Sequence, residues 1–292
     1  MKSISIFILC VLFTVDVFSQ KNEINIESTK LSDQIYMLKG RGGNIGLFIG
    51  KDAVFMIDDQ FAPLTPKILE TIKNITTKPV SYLVNTHWHG DHTGGNENMQ
   101  KEGALILAHK NVRKRMSVDQ VIRGKTRKAS PKEALPIITF TEDMMMHLNN
   151  DDILISHIHN AHTDGDALVY FTNNNVLHTG DAYFQGKFPY IDLNSGGSIE
   201  GYIQGVKKMI VLTDDNTKVL PGHGNVSNRA ELIAYKNMLV TLKNRVQQKI
   251  DNGKTAEEIK KDIEITKEYR GYSGWITEER IIETIYKSLT SK

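Results

Sequence analysis

Residues 85–95 read Asn85-Thr86-His87-Trp88-His89-Gly90-Asp91-His92-Thr93-Gly94-Gly95, so three imidazoles and a carboxylate fall within six positions. Imidazole nitrogens and carboxylate oxygens are the donors that suit zinc, a borderline-soft ion with little geometric preference of its own. A lone histidine is ordinarily a satisfied core or surface residue; four donors on one short loop call for a metal. They cannot all surround a single tetrahedral ion without strain. Two ions sharing the loop relieve that strain, and further ligands must then come from later in the chain. Three residues stand at turn-like positions after apolar runs, where a rigid scaffold presents functional groups: His162 in Ala161-His162-Thr163-Asp164-Gly165-Asp166, Asp181 in His178-Thr179-Gly180-Asp181, and His223 in Leu220-Pro221-Gly222-His223-Gly224. His157 and His159 compete with His162 but occupy alternate positions of an expected strand. His109, His147 and His178 have no comparable context.

The His-x-His-x-Asp-His loop, with the three later residues in order, resembles the metallo-β-lactamase superfamily over roughly residues 30–250. The resemblance implies an α+β fold, a four-layer αββα sandwich with the metals at the edge between the sheets. It implies two zinc ions per chain: His87, His89 and His162 would hold one, Asp91, His92 and His223 the other, and Asp181 would bridge them. Asp91 would also orient the nucleophilic water. Asp58 follows an expected strand at the place where the family commonly carries an Asp that supports the metal loop from behind; its neighbour Asp59 is the alternative.

Two zinc ions can share one water and lower its pKa from about 15.7 toward ~7, giving a nucleophile at neutral pH. An open coordination position can polarise a carbonyl and stabilise the tetrahedral oxyanion. Hydrolysis of an amide, ester or thioester is therefore the expected reaction, on a small-molecule carbonyl substrate. No phosphate loop, dinucleotide fingerprint or nucleophilic serine motif competes. β-Lactams come first among expected substrates. Against them, the main lactamase subclass carries a Cys where Asp181 stands and a Lys three residues later, where this chain has Phe184. Asp181 is more similar to the glyoxalase, lactonase and general hydrolase branches, so a lactonase or glyoxalase-type thioester hydrolase is the alternative. An iron-dependent sulfur dioxygenase on the same fold and a metal-binding protein without turnover are more distant rivals. Residues 184–198 mix aromatics, Gly and hydrogen-bonding groups. Phe184, Lys187 and Tyr190 are expected on one wall of the substrate cleft, with Trp88 on another.

The elements that must position these groups are legible in outline. Residues 35–38, 45–49 and 53–57 are short apolar runs separated by Gly and charged turns, which reads as strands. Thr65 is expected to cap a helix with Pro66 at its first position and Ile68, Ile72 and Ile75 on its buried face. Residues 80–84 read as a buried strand. A second strand-rich block spans about 144–177. Leu232, Tyr235, Leu239, Leu242 and Val246 repeat at helical spacing, placing an amphipathic helix near 229–250. Thr255 and Glu258 form a capping-box pattern, and Thr277 caps a last helix with Ile276 and Ile281 as a staple. Strands and helices without strict alternation favour sheets packed face to face, with helices outside.

Composition bounds the rest. The 292 residues carry 36 Lys plus Arg against 34 Asp plus Glu, a net charge of +2 that offers no global field for nucleic acid or an anionic membrane. Residues 113–132 concentrate Arg113, Lys114, Arg115, Arg123, Lys125, Arg127, Lys128 and Lys132 against Asp119 alone, and read as a solvated helix and loop. Lys2, an apolar stretch over 4–13 and the small residues Val17 and Ser19 read as a secretory signal peptide over 1–19, implying a periplasmic or secreted protein without stable membrane insertion after its removal. Cys10, the single cysteine, lies in that segment, so the mature chain offers no thiolate. Residues 20–292 are expected as one domain with C-terminal helices at about 253–292. The sequence leaves the oligomeric state open.

Overall fold

The apolar runs pair into two sheets. In the computed structural model, which describes residues 24–122 and 124–291, the strands are β1 (Glu27–Lys30), β2 (Ile35–Lys39), β3 (Ile45–Ile49), β4 (Val54–Ile57), β5 (Val80–Asn85), β6 (Leu105–His109), β7 (Gln120–Ile122), β8 (Lys125–Arg127), β9 (Ile138–Phe140), β10 (Asp143–Leu148), β11 (Asp151–Ile158), β12 (Asp166–Phe171), β13 (Val176–His178) and β14 (Lys218–Leu220). The signal peptide expected at 1–19 and Arg123 lie outside the described residues. One sheet has seven strands in the order β1-β2-β3-β4-β5-β6-β9, and the other has five in the order β10-β11-β12-β13-β14. β7 and β8 form a separate antiparallel hairpin. The helices are α1 (Thr65–Lys73), α2 (Gly90–Thr93), α3 (Asn96–Lys101), α4 (Lys110–Met116), α5 (Ile199–Leu212), α6 (Arg229–Asp251), α7 (Ala256–Lys260) and α8 (Glu278–Thr290).

Strand periodicity builds the layers, because successive side chains of a strand face opposite ways. In β4, Val54 and Met56 join the outer core with Ile68 and Ile72 of α1, while Phe55 and Ile57 face the other sheet. In β12, Ala167, Val169 and Phe171 meet that inter-sheet core, while Leu168 turns to the core shared with α5, α6 and α8. The result is helix, sheet, sheet, helix, the four-layer αββα arrangement. Phe171 locks the two sheets, 4.8 Å from Phe48 and edge-on to Phe55 at 6.1 Å. Removing that ring costs on the order of 3–5 kcal/mol.

The C-terminal half follows its sequence pattern closely. Leu232, Tyr235, Leu239, Leu242 and Val246 of α6 are all buried. The Thr255–Glu258 capping box forms, and Thr277 caps α8 with Ile276 and Ile281 buried beside it. α7 and α8 pack on one another, and α8 packs on α6. The start of α1 differs from a Thr65 cap. A 3-10 turn at Ala62–Leu64 runs straight into the helix, Leu64 takes the cap position, and Thr65 is helical. The Thr65 hydroxyl instead accepts from Asn98. No helix of the described residues is long and apolar enough to cross a membrane.

Candidate metal centre

Five strands deliver the site. β4 ends just before Asp58, β5 before His87, β13 before Asp181 and β14 before His223, while β11 leads into the turn that carries His162. β4 runs parallel to β5 and β13 parallel to β14, so the residues after these four strands emerge in pairs at common edges. After β5 the chain bends at 86–88, is extended at His89, and then winds into the single turn of α2, whose last two residues are tied back to the His89 carbonyl by the His92 and Thr93 amides at 3.0 Å each. That turn brings Asp91 and His92 back beside His87.

All seven expected ligands converge in two groups: His87, His89, His162 and Asp181, and next to them Asp91, His92 and His223, with donor atoms in each group within 4.8 Å of one another. The Asp181 carboxylate stands between them. Its Oδ2 lies 3.8 Å from His87 Nε2 and 3.6 Å from His162 Nε2, while its Oδ1 lies 3.1 Å from His92 Nε2 and 3.4 Å from His223 Nε2. Asp91 Oδ2 closes the second group, 3.3 Å from His223 Nε2 and 3.7 Å from His92 Nε2. The rival histidines lie elsewhere: His157 stacks on His109 at 3.9 Å, and His159 pairs with Glu142 at 3.3 Å. His147 faces Asp152, and His178 bonds the Asn44 carbonyl.

Four of the five imidazoles, those of His87, His89, His92 and His162, are oriented from behind, which fixes the nitrogen each offers. His92 Nδ1 donates to Asp58 Oδ2 at 2.7 Å, and His162 Nδ1 donates to the Tyr190 carbonyl at 2.7 Å. His89 Nε2 faces Asp192 Oδ2 at 3.0 Å, leaving Nδ1 toward His162 at 2.8 Å. His87 Nδ1 meets the Thr86 hydroxyl at 3.1 Å, and that hydroxyl donates to Asp58. Asp58 also accepts the Thr86 amide at 2.8 Å, and it holds these bonds from a left-handed backbone with φ of 59°. A carboxylate kept in that region carries strain of order 1–3 kcal/mol, tolerated where the surroundings over-determine it. Asp59 instead caps the Gly95 amide and makes no bond to the cluster imidazoles. Of the two neighbours, Asp58 therefore has the supporting geometry. Asp58→Ala is expected to lower metal affinity by ~10–100-fold with the fold retained, as read by competition with a chromogenic chelator. Unchanged affinity would remove Asp58 from the site.

The donors fit a pair of cations. His87 Nε2, His92 Nε2 and Asp181 Oδ1 are buried polar atoms without a hydrogen-bond partner. Such orphans are costly unless something else satisfies them. Burial, then the neighbouring His92 and His162, push His87 well below its ordinary value; burial and His89 bring His162 to about 4. Both are thus neutral imidazoles, the ligand form. Burial works against ionising Asp181, but His223 and His92 hold it well below the usual carboxylate range. Asp91, despite burial, is held at about 2 by His92 and His223. His223 rises to about 9 against its own burial because of Asp181 and Asp91. A cation enters this balance in exchange for protons.

The cluster forms the floor of a cleft of about 860 Å³. Phe184, Lys187 and Tyr190 line it, and Phe184 lies nearly parallel to the His223 ring at 5.3 Å. Trp88 does not form the opposite wall. It is 3% exposed and packs with Ala108, Val112, Met116 and Leu135. The basic run is not uniformly solvated either: Arg115 pairs with Asp164 at 2.7 Å, and Arg127 lies over the Trp88 ring at 5.8 Å and lines the cleft. Sequence reasoning missed Asp192, Arg127, Trp275 and Arg280. Asp192 had a local signal in its Asp-x-x-Ser turn, where Ser195 bonds the carboxylate at 2.6 Å.

A family model described as the metallo-beta-lactamase superfamily matches residues 38–224, which include all seven clustered residues. A metallo-beta-lactamase type 2 of Bacteroides fragilis is 24% identical over 258 residues, 82% of this chain and 96% of that protein. A hydroxyacylglutathione hydrolase of Pelagibacter ubique is 29% identical over 177 residues, 59% of this chain, and the match spans only 62% of that enzyme. Among solved structures, a metallo-beta-lactamase from Pontibacter korlensis superposes with a TM-score of 0.62 at 19% identity, over 74% of this chain and 99% of that one. A stereoselective inverting sec-alkylsulfatase from a Pseudomonas species gives a TM-score of 0.69 at 14% identity, over 90% of this chain and 50% of that one.

Proposed function

The chain belongs to the metallo-β-lactamase superfamily, and from that premise we propose that it is a zinc-dependent hydrolase of carbonyl compounds, with an amide, ester or thioester as the cleaved bond. The observation that carries the proposal is the split of one buried carboxylate: each oxygen of Asp181 faces one of the two donor groups. His87, His89 and His162 would hold one cation, Asp91, His92 and His223 the second, and Asp181 would bridge them. When bound, such a pair supplies Lewis acidity to a substrate carbonyl and acidifies water near neutral pH.

The chain's own residues supply the rest. Asp58, Asp192, Thr86 and the Tyr190 carbonyl hold the imidazoles at the angles the donor set requires. Asp91 is 30% exposed at the side chain while Asp181 is 5% exposed, so Asp91 is the carboxylate that reaches the cleft, placed to accept a proton or orient water. Phe184 over His223 and Tyr190 near His89 give the floor an apolar border, which displaces water from the reacting carbonyl. The signal-peptide reading of residues 1–19 adds export to the proposal. β-Lactams are the first substrates to test. Thioesters and lactones are the second reading, favoured by Asp181 in place of Cys and by the hydroxyacylglutathione hydrolase relative.

The test joins metal analysis to a substrate panel. Purified full-length protein is expected to carry two zinc per chain and to hydrolyse at least one class among β-lactams, lactones and thioesters. Chelation should remove that activity and zinc should restore it. One iron per chain with no hydrolysis in any class would refute the proposal.

A further inference from the structure

Four strands end the two sheets, and three of them are short. β1 is four exposed residues, Glu-Ser-Thr-Lys. β9 has three residues, and so has β14, which is also bridged to Ser227 through Val219. Short, charged or covered edges are how sheets avoid unwanted strands. β10 departs from that rule. Asp143-Met144-Met145-Met146-His147-Leu148 runs six residues in unbroken register with β11 and contains no Lys, Pro or bulge.

The hairpin geometry dictates which backbone groups this edge offers. Asn149 and Asn150, both left-handed with φ of 56° and 61°, make a two-residue turn closed by the Leu148–Asp151 pair. From that closing pair, an antiparallel ladder alternates between bonded and unbonded pairs. Leu148, Met146 and Met144 therefore bond β11, while His147, Met145 and Asp143 turn their amides and carbonyls outward. The Asp152 carbonyl agrees: it accepts the Thr172 amide on its other side rather than bonding His147 across the ladder. Among the described residues no strand and no other backbone group pairs with the outward groups. The side chains alternate as well. Met144, Met146 and Leu148 pack on the inter-sheet core, whereas Asp143, Met145 and His147 are exposed, Met145 at 46%.

A second β10 answers this pattern. Laid antiparallel about a twofold axis through Met145, it sets Met145 opposite its own copy, Asp143 opposite His147, and Met144 opposite Met146. Each outward residue then exchanges both of its backbone bonds with the residue it faces. An acidic residue meets an imidazole at both ends, no like charges oppose one another, and the Met144–Met146 pairs carry the inter-sheet core across the axis. Sliding the register by two residues either way leaves one outward residue of each copy unpaired. We propose that the β10 edge pairs with the β10 edge of a second copy of this chain, joining two five-stranded sheets into one across a twofold axis at Met145. A seam of six residues per chain buries well under the ~1,600 Å² of a standard interface, so the dimer is transient, half-dissociated at ~10 µM.

Sedimentation velocity of the full chain over ~1–100 µM tests this, with the mass per particle expected to double across the series. No residue of β10 lines the cleft. Met145→Lys sets two ammonium groups face to face on the axis and should therefore give monomer throughout, while melting temperature, zinc uptake and kcat/KM at ~1 µM match the parent's. Cross-linking reads the register. Cys10 is the single cysteine, so a Cys10→Ser background accepts one thiol at a chosen place. Bonded residues directly opposite each other have Cα atoms ~5.5 Å apart, within disulfide reach, so Met145→Cys should cross-link under mild oxidation. His147→Cys, on the same exposed face, would stand ~14 Å along the strand from its copy and should not. A particle that stays at one chain up to ~100 µM sinks the proposal, whether the edge is bare or takes a different strand. So does a dimer that persists in Met145→Lys, or cross-linking of His147→Cys as readily as Met145→Cys, since either puts the contact elsewhere.

Discussion

His87→Ala combined with Asp181→Ala is expected to lower metal-dependent kcat/KM by ~10³-fold or more while the chain stays folded. The size follows from what is removed: one donor of the first group and the carboxylate that faces both groups. A bound metal contributes several kcal/mol of transition-state stabilisation, and each 1.4 kcal/mol or so is tenfold in rate. In the metal-free chain two stability effects oppose each other. His87 Nε2 and Asp181 Oδ1 are buried without hydrogen-bond partners, and the clustered imidazoles push each other's titration downward. Their removal deletes unsatisfied polar atoms but also takes away the carboxylate that pairs with His92 and His223, so the informative quantity is the response to zinc rather than the melting temperature in chelator. Added zinc should then raise the melting temperature of the parent alone, because a ligand stabilises only the state that binds it. Residual hydrolysis in the purified double variant, or an equal zinc-induced shift, would show that the cluster is not the centre.

The contrast between the loop at 87–92 and the segment around Arg280 shows what local sequence carries. The donor residues are legible because their chemistry is rare and each follows a strand whose end is marked by Gly or a polar turn; the strand ends then meet because β4 pairs with β5 and β13 with β14. Trp88 was not placed by its neighbours: the chain bends at 86–88, and the structure puts its side chain in a core, 3% exposed, while His87 and His89 on either side enter the cluster. Arg127 and Arg280 carried no local mark. Arg127 sits in a charge run whose composition argues for solvent, and only the β7–β8 hairpin swings it over Trp88. Arg280 lies on an amphipathic helix whose pattern reports Ile281, Ile282 and Ile285 as its buried face and says nothing of which cleft its polar side meets. Packing across some hundred residues of chain decides such positions, and periodicity has no access to it.

Gly222→Ala carries the second large effect, and it arises from space rather than chemistry. A Cβ at Gly222 would stand 2.1 Å from Asp181 Oδ1 and 2.6 Å from both the carbonyl carbon and oxygen of Gly180. Neither side can yield cheaply. The Gly222 amide donates to the Gly180 carbonyl at 2.8 Å, and its own carbonyl accepts the Asn44 amide at 2.7 Å. The Asn44 side chain ties down the Pro221 and Gly224 carbonyls at 2.9 and 3.0 Å. The methyl group must therefore displace the bridging carboxylate or strain the backbone, and overpacking of this kind costs roughly 1–3 kcal/mol. Displacement of a positioned group by about 1 Å costs on the order of 10² in rate, so kcat/KM should fall by that much or more, with metal bound per chain falling alongside. Gly271→Ala is the matched control: no atom lies within 4 Å of its added Cβ and its φ is not left-handed, so stability should stay within about 0.5 kcal/mol and activity should be unchanged. Both changes add the same methyl group to the same chain. If Gly222→Ala keeps full metal content and full kcat/KM, then Asp181 is not held where the two donor groups need it, and the bridging role goes with it.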